Sequence, residues 1–243
     1  MRKGSGYQLF VAPGLRRNER LPLLVMLHGC GQNAEGFAAS TRMNLIALRE
    51  RFLVLYPEQN RLDNLQGCWN WHQTRSGQGQ GEADAINAKI TQVCNLHAVD
   101  PLRFCALAMH SGVVPGVAHS TAGALAAMRG HGVAQPLAAL ATGLHLPALL
   151  VLQGSTDSIV APNNGTLAAH TWASREGAKT GATRKVQRGT RYPLDVTDYR
   201  AQGRLVVTLC DITGLSHAWS GVLQARPLAT PKARTHRAWS GLL

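Results

Sequence analysis

The sequence predicts an α/β fold: a mostly parallel sheet with helices packed on both faces. Three observations predict it. Several short apolar runs lack polar alternation, the mark of strands covered on both sides. Stretches with helical spacing separate them, so strand and helix alternate along the chain. The 243 residues, 45% of them hydrophobic, suffice for one sizeable core, and no linker is long or polar enough to divide the chain. The expectation is a single domain over 1–243.

Tyr7 falls within Gly6–Pro13, "GYQLFVAP", which alternates as an edge strand does. Leu21–Gly29, "LPLLVMLHG", is a continuous apolar run and reads as a buried strand. A helix follows, with Phe37, Met43, Leu45, Ile46 and Leu48 near helical spacing. Phe52–Gln59 is a second buried strand, stopped by Pro57. Ser76–Gly81 reads as a loop, and Glu82–Pro101 as a helix with acids in its first turn, where the dipole favours them. Arg103–Met109 and Pro147–Gly154 are further buried strands, and Arg204–Ile212 is a more alternating one.

The composition removes several classes of function. No run of 18 apolar residues exists, so no membrane span is expected. The N-terminus has basic residues but no apolar stretch of signal-peptide length; as it stands it implies a cytoplasmic protein, or a leader absent from the sequence. The net charge is +12, and from Ser174 onward 12 Lys and Arg face 4 acids. These cations are scattered and not interleaved with aromatics, the pattern of a solvated basic face rather than a nucleic-acid surface. None of the five cysteines has CxxC spacing, so neither a metal site nor a thioredoxin-like motif is expected. Cys94 and Cys105 sit in apolar patterns and read as core residues. Cys30 and Cys68 lie in polar loops, where pairing requires an oxidising compartment.

The residues that could carry chemistry lie beyond the strand ends, where open α/β sheets place their ligands. After the run Leu21–Gly29 comes "HGCGQN". Its glycines let backbone N–H groups face a developing oxyanion, and it resembles the HGGG-type loop of α/β-hydrolases, with Cys30 N–H as donor. Asp157 follows the strand Pro147–Gly154, in the place of an acid that orients a histidine. His217 follows the last strand, and acid before histidine is the chain order that fold uses. In "GCWNWHQ", Trp69 and Trp71 flank Asn70, and two indoles among polar residues suit a substrate wall better than a core.

Taken together, "LPLLVMLHGCGQNAEGFAASTRMNLIA", "FLVLYPEQN", "GCWNW", "VDPLRF", "MHSGV", "QGSTDSIVAPNN" and "SHAWSG" resemble the poly(3-hydroxybutyrate) depolymerase-like esterases, a group of α/β-hydrolases that includes feruloyl and acetylxylan-type esterases. The resemblance runs from about Tyr7 to Gly221. Gly177–Ala201 and the basic tail at 222–243 match poorly. The resemblance implies carboxylic-ester hydrolysis by a Ser-His-Asp mechanism on a small-molecule or oligomeric ester, an extracellular location and no cofactor. It further implies that Asp157 and His217 are the triad acid and base, that Cys30 lines the oxyanion hole, that Trp69, Asn70 and Trp71 bind substrate, and that Cys30 and Cys68 form a disulfide. No feature of the sequence specifies an oligomer.

One departure from the family is large. The family places a G-x-S-x-G elbow on the strand after "VDP", then a helix, then a strand ending in "HSG". Here only "LRFCALAMHSG" follows Pro101, room for a single strand. A strand–helix–strand passage needs a dozen or more connecting residues, so about 25–30 residues of that unit are missing. Ser111 follows a strand, but Met109 and Val113 stand where the elbow wants small residues. Ser120 has Ala118 and Ala122 at those positions, but Pro115 and Gly116 interrupt any strand leading to it. The chain thus reads as an impaired or inactive serine esterase. The alternative is a non-catalytic remnant or binding protein that keeps the aromatic cleft.

Overall fold

A computed structural model describes residues 1–4, 6–14, 16, 19–100, 106–114, 116–133, 146–187 and 192–219. Cys105, the start of the strand expected at Arg103, and the basic tail lie outside them. The chain forms two compact units, one built from Met1–Phe104 and one from Cys105–Ala233.

The first unit carries strands β1 (Arg2–Gly4), β2 (Tyr7–Phe10), β3 (Leu23–Val25) and β4 (Leu53–Pro57) in the order β1-β2-β4-β3. β3 runs parallel to β4, and β2 runs antiparallel to both β1 and β4. The segment expected at an edge is therefore interior, because Arg2–Gly4 adds an outer strand that three polar or small residues gave no reason to expect. Every residue of β4 is buried, as its uninterrupted apolar run requires. Leu9, Leu23, Leu53, Leu55, Val93 and Val99 form the core of this unit.

The helix after β3 is two helices, α1 (Ala34–Thr41) and α2 (Met43–Glu50), broken where Arg42 takes a left-handed conformation at φ 54°. Asn33 caps α1, its side chain accepting from Gly36 N at 2.7 Å. Helix α3 spans Gln78–Leu96, four residues earlier than the acids suggested. The expected loop at Ser76–Gly81 ends at Gly77, whose φ of 77° ends the turn and starts the helix. Cys94 is exposed, contrary to expectation: α3 buries only Val93, and the next residue along points outward.

The second unit is a mixed sheet of β5 (Ala106–His110), β6 (Ala148–Gly154), β10 (Arg204–Ile212), β9 (Leu194–Ala201) and β7 (Lys179–Thr180), in that order, with β8 (Arg184–Val186) also on β9. β5, β6 and β10 are parallel, and β9 is antiparallel to β10. The β9–β10 hairpin closes through Gln202 and Gly203 at φ 49° and 81°, the two left-handed residues of a type I′ turn. Helix α4 (Thr121–Ala126), the π-helical turn Ala127–His131 that follows it, and α5 (Asn163–Arg175) complete the described part of the unit. Trp172 of α5 packs with Leu149, Val151, Val207 and Tyr199. β5 is less buried than its apolar run implied. Leu107 is 46% exposed, because β5 has a strand neighbour on one side alone among the described residues.

Several cations of the basic region are paired: Arg184 with Asp198 at 2.9 Å, Lys185 with Asp195 at 3.1 Å, and Arg204 with Glu176 at 2.6 Å.

Candidate active site

In the second unit, β6 delivers Gln153 and Gly154 to a tight turn that holds Asp157. The Asp157 side chain is fully buried. Its Oδ1 accepts from the N–H groups of Ile159 and Val160, both at 2.9 Å. Its Oδ2 accepts from Gln153 Nε2 at 3.3 Å and from His217 Nδ1 at 2.9 Å. Burial by itself pushes this carboxyl up. The Val160 N–H and His217 outweigh burial and hold it below the ordinary carboxylate value. An ionised carboxylate only accepts, so Nδ1 carries the proton and neutral His217 has its free lone pair on Nε2. The His217 side chain is 28% exposed, and its Nε2 makes no hydrogen bond among the described residues.

Backbone contacts fix the loop carrying His217. Thr156 N donates to Leu215 O at 3.1 Å, Ser155 N to Ile212 O at 3.0 Å, and Gly214 N to Ser155 Oγ at 2.9 Å. Gly154 is required here, since a Cβ on it would lie 2.2 Å from Leu215 O. The ring of Trp219, two residues past His217, stacks on His110 at the end of β5, with centroids 4.7 Å apart and planes 26° apart. Burial, and then the neighbouring His217, lower His110 to about 4, so it is a neutral ring at ordinary pH. Sequence reasoning missed His110. Its signal was modest: a polar residue closing an apolar strand in this unit.

In the first unit, the loop after β3 holds buried His28 and exposed Cys30. His28 Nε2 accepts from Gln59 N at 3.1 Å, which leaves Nδ1 to donate to Gly29 O at 2.9 Å. Within this loop Gly29 N donates to Gln32 Oε1, Gly31 N to Gln66 O and Gln32 N to Gly29 O. The N–H of Cys30 makes no hydrogen bond among the described residues. Cys30 and Cys68 form a disulfide, as the resemblance implied, and it ties this loop to the tryptophan loop.

The three residues expected to bind substrate differ in placement. Trp69 turns inward: its Nε1 donates to His28 O at 2.9 Å, and its ring lies 5.3 Å from the His28 ring. Asn70 is 1% exposed and gives its N–H and its amide Nδ2 to Glu82, at 2.7 and 2.6 Å. Trp71 is 40% exposed. Glu82 also accepts from Gln59 Nε2 at 2.6 Å, and Gln59 Nε2 donates to Cys68 O at 3.0 Å. Glu82 therefore anchors the tryptophan loop and, through Gln59 and His28, the loop of Cys30. Sequence reasoning gave Glu82 only a helix-dipole role. Its spacing from Asn70 and Gln59 carries no periodic signal.

Ser120 caps α4, its Oγ accepting from Gly123 N at 3.1 Å. Ser111 sits just beyond β5 in a left-handed conformation at φ 49°, its Oγ buried and without a hydrogen bond. No three metal-binding side chains cluster among the described residues, and no described helix is long and apolar enough to cross a membrane.

Residues 5–104 match the family described as Esterase PHB depolymerase. Over this segment, which is under half of the chain, the sequence is similar to that family. Over 92 residues it is 34% identical to poly(3-hydroxyalkanoate) depolymerase C of Paucimonas lemoignei, a match covering 37% of this chain and 22% of that protein. Over 91 residues it is 29% identical to feruloyl esterase B of Thermothelomyces thermophilus, covering 37% and 31%. The matched stretches thus span under a third of those relatives. The fold is that of an acetyl xylan esterase from Aspergillus awamori, with a TM-score of 0.70, 18% identity, and coverage of 87% of this chain and 88% of that one. The α/β-hydrolase-like class expected from the sequence is therefore the class observed.

Proposed function

We propose that this chain is a carboxylic-ester hydrolase of the PHB depolymerase type, impaired because the segment bearing its nucleophilic serine is missing. The Asp157–His217 hydrogen bond carries the first part of this reading. An acid buried on a strand-end turn and aimed at Nδ1 of a part-exposed histidine is the base half of a serine-hydrolase triad. The unengaged N–H of Cys30, in a loop whose neighbouring N–H groups are all occupied, supports its assignment as an oxyanion donor. Trp71 supplies the exposed aromatic surface for an ester substrate.

The impairment rests on the junction after "VDP". The family match ends at residue 104, where the first unit also ends. Beyond it, β5 pairs with a strand on one side alone among the described residues. Neither Ser111 nor Ser120 hydrogen-bonds to His217. The disulfide supports an oxidising, extracellular setting.

The exposed indole of Trp71 favours one second reading, a remnant that binds esters without turning them over. Hydrolysis of a panel of short-chain p-nitrophenyl esters, measured beside tryptophan-fluorescence titrations with non-hydrolysable amide analogues, separates the two. Turnover above the buffer rate supports the hydrolase. Saturable quenching without turnover supports the remnant and refutes the hydrolase.

A further inference from the structure

We propose that His217 activates water directly, so that this chain cleaves aryl esters in a single displacement with no acyl-enzyme. This rests on the reading of the Asp157–His217 pair as an ester-hydrolase base. Within the second unit that pair is complete. Asp157 is held by four hydrogen bonds, and one of them fixes Nδ1 of His217 as the donor. The opposite nitrogen, Nε2, has no hydrogen bond among the described residues, and the side chain reaches solvent. A triad histidine would spend that nitrogen on the nucleophilic hydroxyl. Here neither serine candidate takes that place: Ser120 Oγ caps α4, and Ser111 Oγ is buried without a hydrogen bond.

Among the described residues, Asp157 from the turn after β6 hydrogen-bonds His217, and His110 from β5 interacts with it electrostatically. The first holds the ring through Nδ1 at 2.9 Å. The second is a neutral ring at ordinary pH.

In the proposed step, a water oxygen bonds to the ester carbonyl carbon as Nε2 takes one of its protons and the carbonyl π pair moves onto oxygen. The tetrahedral intermediate then collapses. The carbon–oxygen bond to the leaving group breaks with its electron pair on the departing oxygen, which accepts the proton from Nε2 or leaves as a phenoxide. The products are a carboxylate, the phenol or phenoxide, and a proton released to the medium. Water is a weaker nucleophile than a serine alkoxide, so the substrate itself must withdraw charge. Esters of phenols, whose leaving oxygen is acidic, fit this demand better than esters of simple alcohols.

The test uses the full chain with p-nitrophenyl acetate and with ethyl acetate. Expected are release of p-nitrophenol without a burst, no acyl-imidazole trapped on His217 by hydroxylamine, no stoichiometric labelling by a fluorophosphonate probe, and a strong preference for the aryl ester. His217→Ala should lower the rate by about 100-fold or more. Ser111→Ala combined with Ser120→Asn, which keeps the helix cap, should stay within about twofold of the parent, since general-base attack by water needs neither hydroxyl. A burst equal to the protein concentration with one labelled serine and loss of turnover, or an acyl group trapped on His217, overturns the single displacement while leaving the esterase reading standing. Hydrolysis no faster than that of His217→Ala overturns the esterase reading and this inference with it.

Discussion

Replacing Glu82 with Ala should loosen the tryptophan loop and destabilise the first unit by about 3–5 kcal/mol. The carboxylate accepts three hydrogen bonds of 2.6–2.7 Å, from Gln59 Nε2, Asn70 N and Asn70 Nδ2. Gln59 is 4% exposed and Asn70 1%, so water reaches these donors poorly. Each orphaned donor costs about 1–3 kcal/mol. The sum falls below three independent losses because the donors share one acceptor and relax together, and because Glu82 is itself partly exposed, so water can enter the space it leaves. Such a loss is a large fraction of a typical stability of about 5–15 kcal/mol. Urea titration gives the number: with a slope of about 2.5 kcal/mol per molar, the midpoint should fall by about 1–2 M. Glu82→Gln keeps one acceptor oxygen but turns an amide N–H₂ toward another donor, so it should lose about half as much. A midpoint for Glu82→Ala within about 0.2 M of the parent, which is under about 0.5 kcal/mol, would refute the anchoring role.

Three further outcomes follow from the geometry. Gly154→Ala places a methyl against Leu215 O; the shift of the His217 loop should cost about 1–3 kcal/mol and lower ester turnover by about tenfold or more, read by thermal denaturation and by rate. His110 lies at about 4 against an ordinary 6.5. Its neutral burial therefore stabilises fully above pH 6.5, and that stability is lost as the pH falls towards 4, by up to about 3 kcal/mol. His110→Phe keeps the stack on Trp219 and should flatten the stability profile across that window, as measured by urea titration at several pH values. Cys68→Ser opens a loop with a separation of 38 residues and should lower stability by about 4 kcal/mol in the chain-entropy account; dithiothreitol should shift the parent midpoint similarly and leave the variant unmoved.

The parts of the fold legible in the sequence were those with an unambiguous period. β4 and β6 are uninterrupted apolar runs, and both are strands between buried layers. The site was legible where chemistry coincides with a strand end: Asp157 follows β6 and His217 follows β10, and the two meet at 2.9 Å. Long-range polar contacts were not legible. Glu82 lies 12 residues from Asn70 and 23 from Gln59, and no local pattern announces that three donors converge on it. The inward turn of Trp69 escaped for the same reason, since its partner is a backbone carbonyl 41 residues away. Cys94 was misplaced because apolar neighbours in a helix share a sequence window without sharing a face. β9 went unread although Val196 and Tyr199 are buried. Its acids interrupt the apolar pattern, and Asp195 and Asp198 pair outward with Lys185 and Arg184.

The central claim is that His217, oriented by Asp157, is the base of an ester hydrolase. It is tested most directly by kcat/KM for p-nitrophenyl acetate in the parent chain and in His217→Ala. A fall of about 100-fold or more, the usual contribution of a positioned general base, is the expected result. Equal values in the two proteins would contradict the account.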